Sequence, residues 1–266
     1  MLHTSSKSKT DAIAWIWVAS LVLAPMAYLL VISFMNRGVY GGITFSPTWD
    51  NYAKLFEPGL RPLILSAFLR SVGMAFVTTL ICFLIGFPLA LFLVFKSGRF
   101  RTLLFFLLVI PFWTQFLIRV YAWMSLLSDN GVISQFFGVQ WLFTYKAIFI
   151  GMVYNYLPYM TMSLYVNLEK LDVMLIDAAA DLGASQWRRL TQVILPLAKP
   201  GIITGSIMVF IPSLGEFVIP DVLGGGKKFF VGNLLANQFL NARHWPFGSA
   251  LSIALILLVG LSFYIL

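Results

Sequence analysis

Residues Asp177 to Pro200 read DAAADLGASQWRRLTQVILPLAKP, and this stretch decides how the rest of the chain is arranged. Its first part, through Leu182, consists mostly of residues that favour helix, and Gly183 then permits a bend. A second, more apolar piece leads to Pro196, which limits continuation of its helix. The stretch therefore predicts a short helix, a turn and a second helix, a shape suited to docking on another protein.

The amino-acid composition indicates a membrane protein. Hydrophobic residues make up 60% of the 266 positions, charged residues make up only 11%, and the mean hydropathy is +0.89. These values lie well outside the balance of a soluble domain. Because a span needs roughly 20 apolar residues, the length allows about six spans with modest loops. We predict an all-α, polytopic membrane protein with a single transmembrane domain covering residues 1–266.

The hydrophobic segments set the boundaries of the predicted transmembrane helices. The six spans cover residues 12–35, 66–95, 102–127, 145–168, 201–220 and 248–266. The first is interpreted as a retained span because no small-residue cleavage site follows it. Residues 169–200 form the loop between spans four and five. Since the sequence ends within apolar residues, we expect the natural chain to continue beyond Leu266.

The positive charge fits a membrane surface better than a nucleic-acid site. The net charge is +8, but the Lys and Arg residues are scattered over the loops between apolar segments. The turn from Lys96 to Arg101 carries three cations in six residues, which indicates the cytoplasmic side. The other cations are divided almost evenly between the two proposed sides of the membrane. The predicted orientation therefore depends on this turn and on the 169–200 loop. Both termini are then predicted to be cytoplasmic.

The spacing of the 169–200 loop resembles a family pattern. Asp177–Ala179, three residues, Gly183, nine residues and Val193–Pro196 together are similar to the EAA loop of binding-protein-dependent ABC importer permeases. The family usually has Glu and Ile where this chain has Asp177 and Val193, and both changes preserve charge or shape. The resemblance implies that the loop is a coupling helix between spans four and five. It assigns ATPase coupling to Asp177, Ala178, Ala179, Gly183, Leu195 and Pro196. A loop that merely joins two spans is the simpler alternative.

No catalytic or metal site assembles from the sequence. His3 and His244 lack ligand spacing around them, and Cys82 is the only cysteine. Gly226–Lys228 is faintly similar to the end of a P-loop, but Asp221 occupies the position of its first glycine and no Ser or Thr follows the lysine. We therefore predict no enzyme activity and no cofactor in this chain. If ATP drives transport, another subunit binds it.

Glu216 is the first candidate for contact with a substrate. A charged group within a span costs roughly 2.5 to 3.5 kcal/mol on insertion scales, so it usually faces a partner or a water-filled path. Pro212 and Pro220 flank it and favour irregular backbone of the kind that lines cavities. The alternatives are an ion pair with Arg119 or a position near the outer interface.

Aromatic residues in spans three and four form the second group of candidates. They are Trp113, Tyr121 and Trp123 in span three, and Tyr154, Tyr156 and Tyr159 in span four. The face of an aromatic ring attracts an ammonium group by about 0.5 to 2 kcal/mol, so rings near a carboxylate suit an organic cation. We assign the substrate path to Glu216, Trp113, Tyr121 and Tyr154. Packing or an interfacial aromatic belt is the alternative for each ring.

A second resemblance extends from about Trp49 to the end of the sequence. Several segments look like the permease subunits of spermidine and putrescine importers: Pro111–Thr114, Leu117–Tyr121, Glu169–Asp172, Gly215–Pro220, Leu223–Gly225 and Asn241–Pro246. The resemblance implies a bacterial inner-membrane permease that forms half of a polyamine path. It further implies a second related permease, a cytoplasmic ATPase dimer that carries ATP and Mg, and an extracytoplasmic polyamine-binding protein.

Two other functions remain open from the residues. The chain could be an importer permease for another small solute, such as an amino acid or a metal chelate. It could instead be a secondary transporter or channel that uses Glu216 for ion coupling. Internal inverted repeats would favour the second alternative, whereas co-purification with an ATPase would exclude it.

Overall fold

The computed structural model describes the backbone of residues 9–39, 41–226 and 228–265, and the side chains of 16–39, 41–226 and 228–260. His3, Lys227 and Leu266, which entered the sequence predictions, lie outside these ranges. The described chain separates into two compact units. Unit one comprises residues 1–65 and 234–266, and unit two comprises residues 66–233. The single-domain prediction stays a prediction.

The described chain is predominantly helical, in agreement with the predicted fold class. Its longer helices are α1 (Lys9–Ser33), α3 (Arg61–Phe95), α4 (Arg101–Val109), α5 (Phe116–Leu127), α7 (Tyr145–Leu168), α8 (Val173–Asp181), α11 (Lys199–Gly215) and α14 (Trp245–Ile265). Its shorter elements are β1 (Met35–Arg37), β2 (Ile43–Pro47), α2 (Asp50–Leu55), α6 (Val132–Phe137), α9 (Gln186–Arg188), α10 (Leu195–Leu197), α12 (Val218–Gly224) and α13 (Val231–Ala236).

Helix α7 is the centre of unit two. Its fully buried side chains include Met152, Met160 and Leu164, and it packs against both α11 and α12. The contact with α11 is close because Gly201 presents no side chain: a Cβ there would lie 2.6 Å from the Cβ of Asn167. Gly205 approaches Met160 in the same way. The two glycines therefore allow α11 to pack closely on α7.

Unit one is built around the packing of α1, α2 and the β1–β2 hairpin on α14. Asn51 connects α2 to the end of α1 because its Nδ2 donates to the carbonyl oxygens of Ser33 (3.0 Å) and Met35 (2.8 Å). The hairpin was not predicted, since strands this short have no clear alternating pattern. Gly41 and Gly42 make its turn with φ of +88° and +85°, a region that other residues rarely adopt.

Two predicted spans are interrupted in the structure. In span three, the segments Gly98–Trp113 and Phe116–Phe137 meet at 94°. The backbone is extended at Gln115, with ψ of 139°, just after a tight turn that contains Pro111. In span five, α11 ends at Gly215 and α12 starts at Val218, so the predicted boundary at residue 220 falls inside a second helix.

The other boundaries differ less. Span four was predicted as residues 145–168, and α7 has these bounds. The segment between predicted spans five and six, residues 221–247, is largely helical in its described part. Among the described residues, two helices are long and apolar enough to cross a membrane, or up to four if each bent pair counts as one span. The count of six spans therefore stays a prediction.

Candidate substrate path and coupling surface

The break between α11 and α12 positions the side chain of Glu216. The residue has φ of −64° and ψ of 127°, so the backbone leaves the helix there. Its carboxylate turns toward the start of α12, where Oε1 accepts hydrogen bonds from the backbone N–H of Val218 (2.9 Å) and Ile219 (3.4 Å). Unpaired N–H groups at a helix start favour an anion. The start of α12 therefore stabilises a carboxylate that would otherwise be costly within a membrane span.

Tyr156 supplies the third contact of this carboxylate. Its hydroxyl donates to Oε2 of Glu216 at 2.8 Å, and its side chain is only 8% exposed. The Tyr156 ring lies beside that of Tyr159, with centroids 6.2 Å apart, and Tyr159 packs edge-on against Phe112 at 4.9 Å. A continuous row of rings thus leads from Glu216 toward the bend between α4 and α5.

Arg119 does not pair with Glu216 in this structure. The one ion pair within 4 Å among the described residues joins Arg101 and Glu169. The guanidinium of Arg119 instead lies over the ring of Phe112, with Cζ 5.1 Å from the centroid. Its Nε and Nη1 atoms are buried and have no hydrogen-bond partner among the described residues. The ion pair between Arg119 and Glu216, which was one of the alternatives from the sequence, is therefore not formed in this structure.

The three predicted aromatic residues of the path lie in different surroundings. Trp113 is 80% exposed and lines a cavity of about 610 Å³, which we call the Trp113 cavity. Phe112 and Tyr159 line the same cavity. Tyr154 packs on Trp123 instead, with centroids 5.2 Å apart, and Tyr121 is 57% exposed on α5. Trp113 therefore shares this cavity with the two rings that lead toward Glu216, whereas Tyr121 and Tyr154 do not line the cavity.

Tyr156 and Tyr159 are the residues that sequence reasoning placed only among the general aromatic candidates. Tyr156 and Glu216 are 60 positions apart, so their hydrogen bond has no local sequence signal. The spacing of Tyr156 and Tyr159 by three positions on a helix does indicate a shared face. That spacing was the sequence signal that could have grouped Tyr156 with Tyr159.

The 169–200 loop begins with the predicted short helix. Helix α8 starts after Asp172, whose carboxylate accepts a hydrogen bond from the N–H of Met174 at 2.9 Å. The helix ends at Asp181, and Gly183 follows with φ of +81°. Ser185 then caps the next helical segment by accepting from the N–H of Arg188 at 3.3 Å. The helix–turn–helix order is confirmed, although the first helix starts four positions before Asp177.

The second helical segment continues past the proline that was expected to limit it. Residues 189–194 form a π-helical stretch, and α10 then carries Leu195 and Pro196. A wider helical turn before a proline accommodates its missing N–H group. The direction changes by 66° between Gln186–Leu197 and Lys199–Gly215. The bend therefore lies at Ala198, two positions after Pro196.

Several large apolar side chains of the 169–200 loop are exposed. Met174 is 76% exposed, Leu182 is 89% exposed and Trp187 is 71% exposed. Asp177, Ala178 and Gly183 are also exposed, whereas Ala179 and Leu195 are half-buried. Exposed apolar side chains of this size commonly mark an interaction surface.

Arg101 braces this loop against the start of α4. Its Nη2 lies 2.7 Å from Oε1 of Glu169, the C-cap residue that follows α7, and its Nε donates to the hydroxyl of Tyr165 at 2.8 Å. The guanidinium also lies 5.0 Å from the centroid of the Tyr165 ring. Displacement of the loop would therefore be transmitted to α4 as well as to α7.

Comparison with known proteins agrees with this architecture. The chain is 40% identical over 253 residues to the spermidine/putrescine transport system permease protein PotB of Escherichia coli (strain K12), covering 92% of this chain and 90% of that protein. It is also 40% identical to PotB of Haemophilus influenzae, covering 100% of this chain and 94% of that protein. A bacterial alginate ABC transporter bound to a periplasmic protein with alginate pentasaccharide has a similar fold, with a TM-score of 0.72, 16% identity and coverage of 96% and 91%.

The family match covers nearly the whole sequence. Residues 12–266 match the family of the binding-protein-dependent transport system inner membrane component. This range includes the 169–200 loop, the break at Glu216 and the Trp113 cavity. The chain therefore belongs to the family of inner membrane components of binding-protein-dependent transport systems.

Proposed function

We propose that this chain is a permease subunit of an ATP-driven importer of polyamines, the class of putrescine and spermidine. The observation that carries the proposal is the carboxylate of Glu216 at a helix break, beside the rings of Tyr156 and Tyr159. A carboxylate and aromatic faces together suit a flexible organic ammonium ion. The 40% identity with PotB relatives over nearly the whole chain supports the same substrate class.

The proposed path uses the four residues assigned from the sequence in two roles. Glu216 attracts the ammonium group, and Trp113 offers a ring face at the edge of the Trp113 cavity. Tyr121 and Tyr154 are proposed to face the substrate in the complete transporter. There, a second related permease forms the other side of the path. Each permease then contributes half of the path.

The proposed coupling surface is the exposed face of the 169–200 loop. A cytoplasmic ATPase dimer docks on Asp177, Ala178, Ala179 and Gly183, while the exposed side chain of Leu182 adds apolar area. Leu195 and Pro196 set the angle of the loop relative to α11. ATP and Mg are held by the ATPase, so this chain carries no cofactor and catalyses no reaction.

In the proposed cycle, closure of the ATPase dimer pushes the 169–200 loop and rocks α7 and α11 from an inward-open to an outward-open arrangement. An extracytoplasmic polyamine-binding protein then delivers the substrate to the outer loops. The chain lies in the bacterial inner membrane with both termini in the cytoplasm. An ion-coupled secondary transporter does not fit a family of binding-protein-dependent components.

The first test compares the native chain with Glu216→Gln in vesicles that carry the complete transporter. We expect ATP-dependent uptake of labelled putrescine and spermidine to fall at least about tenfold, because the amide keeps the shape but loses the charge that attracts the ammonium group. Glu57→Gln is the matched control, since it removes an exposed carboxylate outside the proposed path and outside the 169–200 loop. Co-purification of the ATPase with each variant verifies assembly.

The possible outcomes test the proposed substrate class and the proposed coupling to an ATPase separately. Loss of uptake in Glu216→Gln with retained ATPase association supports a polyamine path through Glu216. If an assembled native transporter moves neither polyamine, the substrate proposal is wrong, and another small solute has to be sought. If the native chain does not associate with an ATPase, the coupling proposal also fails.

A further inference from the structure

The Trp113 cavity has one charged side chain among the described residues that line it, and that charge is positive. Lys170 lines the cavity together with apolar, aromatic and uncharged polar side chains. The cavity measures about 610 Å³ and lies inside unit two. A fixed cation is unexpected in a path proposed for organic cations, because like charges repel each other. Its position within the cavity decides how it acts on a cationic substrate.

The lining of the cavity follows α7 from its middle to its end. Tyr159 lies in the middle of the helix, in edge contact with Phe112, and Lys170 lies just beyond the last turn. Tyr159 and Leu168, the last residue of α7, are nine positions apart, which corresponds to about 14 Å at a rise of about 1.5 Å per residue. The aromatic rings and Lys170 therefore occupy opposite ends of the cavity.

Helix α11 shows the same order on the neighbouring wall. A Cβ at Gly201, near the start of α11, would lie 2.6 Å from the Cβ of Asn167, whereas Gly205 approaches Met160. The two helices therefore run in opposite directions along the cavity. The start of α11 lies at the Lys170 end.

The charge of Lys170 is not neutralised by a carboxylate in the described part of the chain. The neighbouring carboxylate, Glu169, is bound by Arg101, with 2.7 Å between Oε1 and Nη2. No other ion pair within 4 Å is formed among the described residues, and Lys170 is exposed. Because Arg101 and Glu169 neutralise each other, Lys170 gives this end of the cavity a net positive charge.

The two ends of the cavity act on an ammonium ion in opposite ways. At one end, the rings of Phe112, Trp113 and Tyr159 attract it, and the row of rings continues from Tyr159 to the carboxylate of Glu216. At the other end, Lys170 repels it. An organic cation is therefore favoured near the rings and disfavoured near the 169–200 loop.

We propose that Lys170 promotes the release of polyamine from the inner end of the Trp113 cavity. Its charge repels an ammonium group that has left Glu216, so the substrate is not retained beside the 169–200 loop. The same repulsion opposes re-entry of polyamine from the cytoplasm. This inference rests on the proposed function, since only a cationic substrate is repelled, and on the predicted cytoplasmic position of the loop.

The test measures how strongly polyamine on the cytoplasmic side inhibits transport. The complete transporter is reconstituted in vesicles with its ATPase outside and with the binding protein and labelled polyamine inside. Unlabelled spermidine or putrescine is then added outside together with ATP, and efflux of the label is followed.

Spermidine should inhibit Lys170→Gln at a concentration about fivefold lower than it inhibits the native transporter, because one repelling charge is removed. The difference should be smaller for putrescine, which carries fewer ammonium groups. It should also decrease at high ionic strength, since salt screens an exposed charge.

Two control variants separate the charge of Lys170 from other effects. Lys170→Arg keeps the charge and should behave as the native chain does. Arg99→Gln removes a cation of the predicted cytoplasmic side that stacks on Phe100 and does not line the cavity, so inhibition should not change. Co-purification of the ATPase should be the same for all variants.

Stronger inhibition of Lys170→Gln by spermidine than by putrescine, with native behaviour of both controls, supports the proposal. Equal inhibition of the native transporter and Lys170→Gln, with labelled polyamine still transported, overturns the release role and leaves the proposed function intact. The same change for both polyamines at every ionic strength indicates a structural effect and also overturns it. Loss of the ATPase from Lys170→Gln assigns the residue to the coupling contact instead. A native transporter that moves neither polyamine overturns the proposed function and this inference with it.

Discussion

At the scale of single residues, the carboxylate of Glu216 shows how a charge is tolerated in an apolar environment. Two backbone N–H groups of α12 and the hydroxyl of Tyr156 together satisfy both of its oxygen atoms. The backbone contacts would persist in any variant that keeps the helix break. The contact with Tyr156 depends on a single hydroxyl group, which makes it the natural position for a conservative substitution.

Tyr156→Phe is expected to destabilise the assembled transporter. It leaves Oε2 of Glu216 without its 2.8 Å donor, and a hydrogen bond to a charged group contributes about 1.5 to 3 kcal/mol. The thermal unfolding midpoint should fall below that of Tyr154→Phe, a control in which the ring contact with Trp123 is kept. Equal midpoints for the two variants would show that the Tyr156 hydroxyl does not stabilise the carboxylate.

His244 provides a second residue-scale prediction, in unit one. Burial, followed by the charges of Lys54 and Arg37, lowers the pKa of His244 from its ordinary value of 6.5. Its Nδ1 accepts a hydrogen bond from the N–H of Phe247 at 3.3 Å, which also requires the neutral ring. Because the unfolded chain takes up the proton first, stability is complete above pH 6.5 and falls as the pH decreases from there toward the lowered pKa.

The measurement compares thermal unfolding at about pH 7.5 and about pH 5.5 for the native chain and His244→Gln, two conditions on either side of the ordinary histidine pKa. The native chain should lose more stability on acidification than the variant, which cannot titrate at this position. The same loss in both proteins would contradict a contribution from His244.

At the scale of helices, the packing of α7 on α11 depends on glycine. A Cβ at Gly201 would lie 2.6 Å from the Cβ of Asn167, a distance that forces the two helices apart. At Gly73, in α3, nothing lies within 4 Å of the position that a Cβ would take, so the helix there has room for a side chain. Alanine substitutions at Gly201 and at Gly73 therefore distinguish the cost of a steric clash from the effect of replacing a glycine within a helix.

Gly201→Ala is expected to destabilise the chain by about 1 to 3 kcal/mol through overpacking. Gly73→Ala should be neutral or slightly stabilising, because alanine favours helix over glycine by about 1 kcal/mol. Thermal unfolding of the two variants in the same detergent distinguishes them. A similar change in midpoint for both would show that α7 and α11 can separate without cost.

At the scale of the whole molecule, the orientation in the membrane sets which loops meet which partners. The turn from Lys96 to Arg101 and the 169–200 loop are predicted to be cytoplasmic, whereas the β1–β2 hairpin is predicted to be outside. The single cysteine, Cys82, is buried, so added cysteines can be labelled selectively. Thr44 and Ser185 are both exposed and belong to the two opposite regions.

In intact cells, a membrane-impermeant maleimide should label Thr44→Cys once the outer membrane is permeabilised, and should not label Ser185→Cys. Inside-out vesicles should give the opposite result, because the predicted sidedness is reversed there. Labelling of both positions from one side would contradict the predicted orientation and the number of crossings between them.

Local patterns were sufficient for the parts of this chain that are determined by neighbouring residues. Continuous apolar segments predicted helix positions, and span four agrees with α7 from Tyr145 to Leu168. The order of helix, turn and helix around Gly183 follows from backbone preferences that act within a few positions. Prolines near Glu216 predicted irregular backbone, although the break occurs at Glu216 and Phe217 between them.

The sequence by itself therefore determined the membrane class, the main helices and the type of the 169–200 loop, because each depends on composition or on contacts within a few residues. Only the tertiary structure decided that the Tyr156 hydroxyl binds the carboxylate of Glu216, and that Arg119 lies over Phe112 instead of pairing with Glu216. These pairings join distant segments, and they depend on how helices pack and bend. No local pattern specifies that geometry.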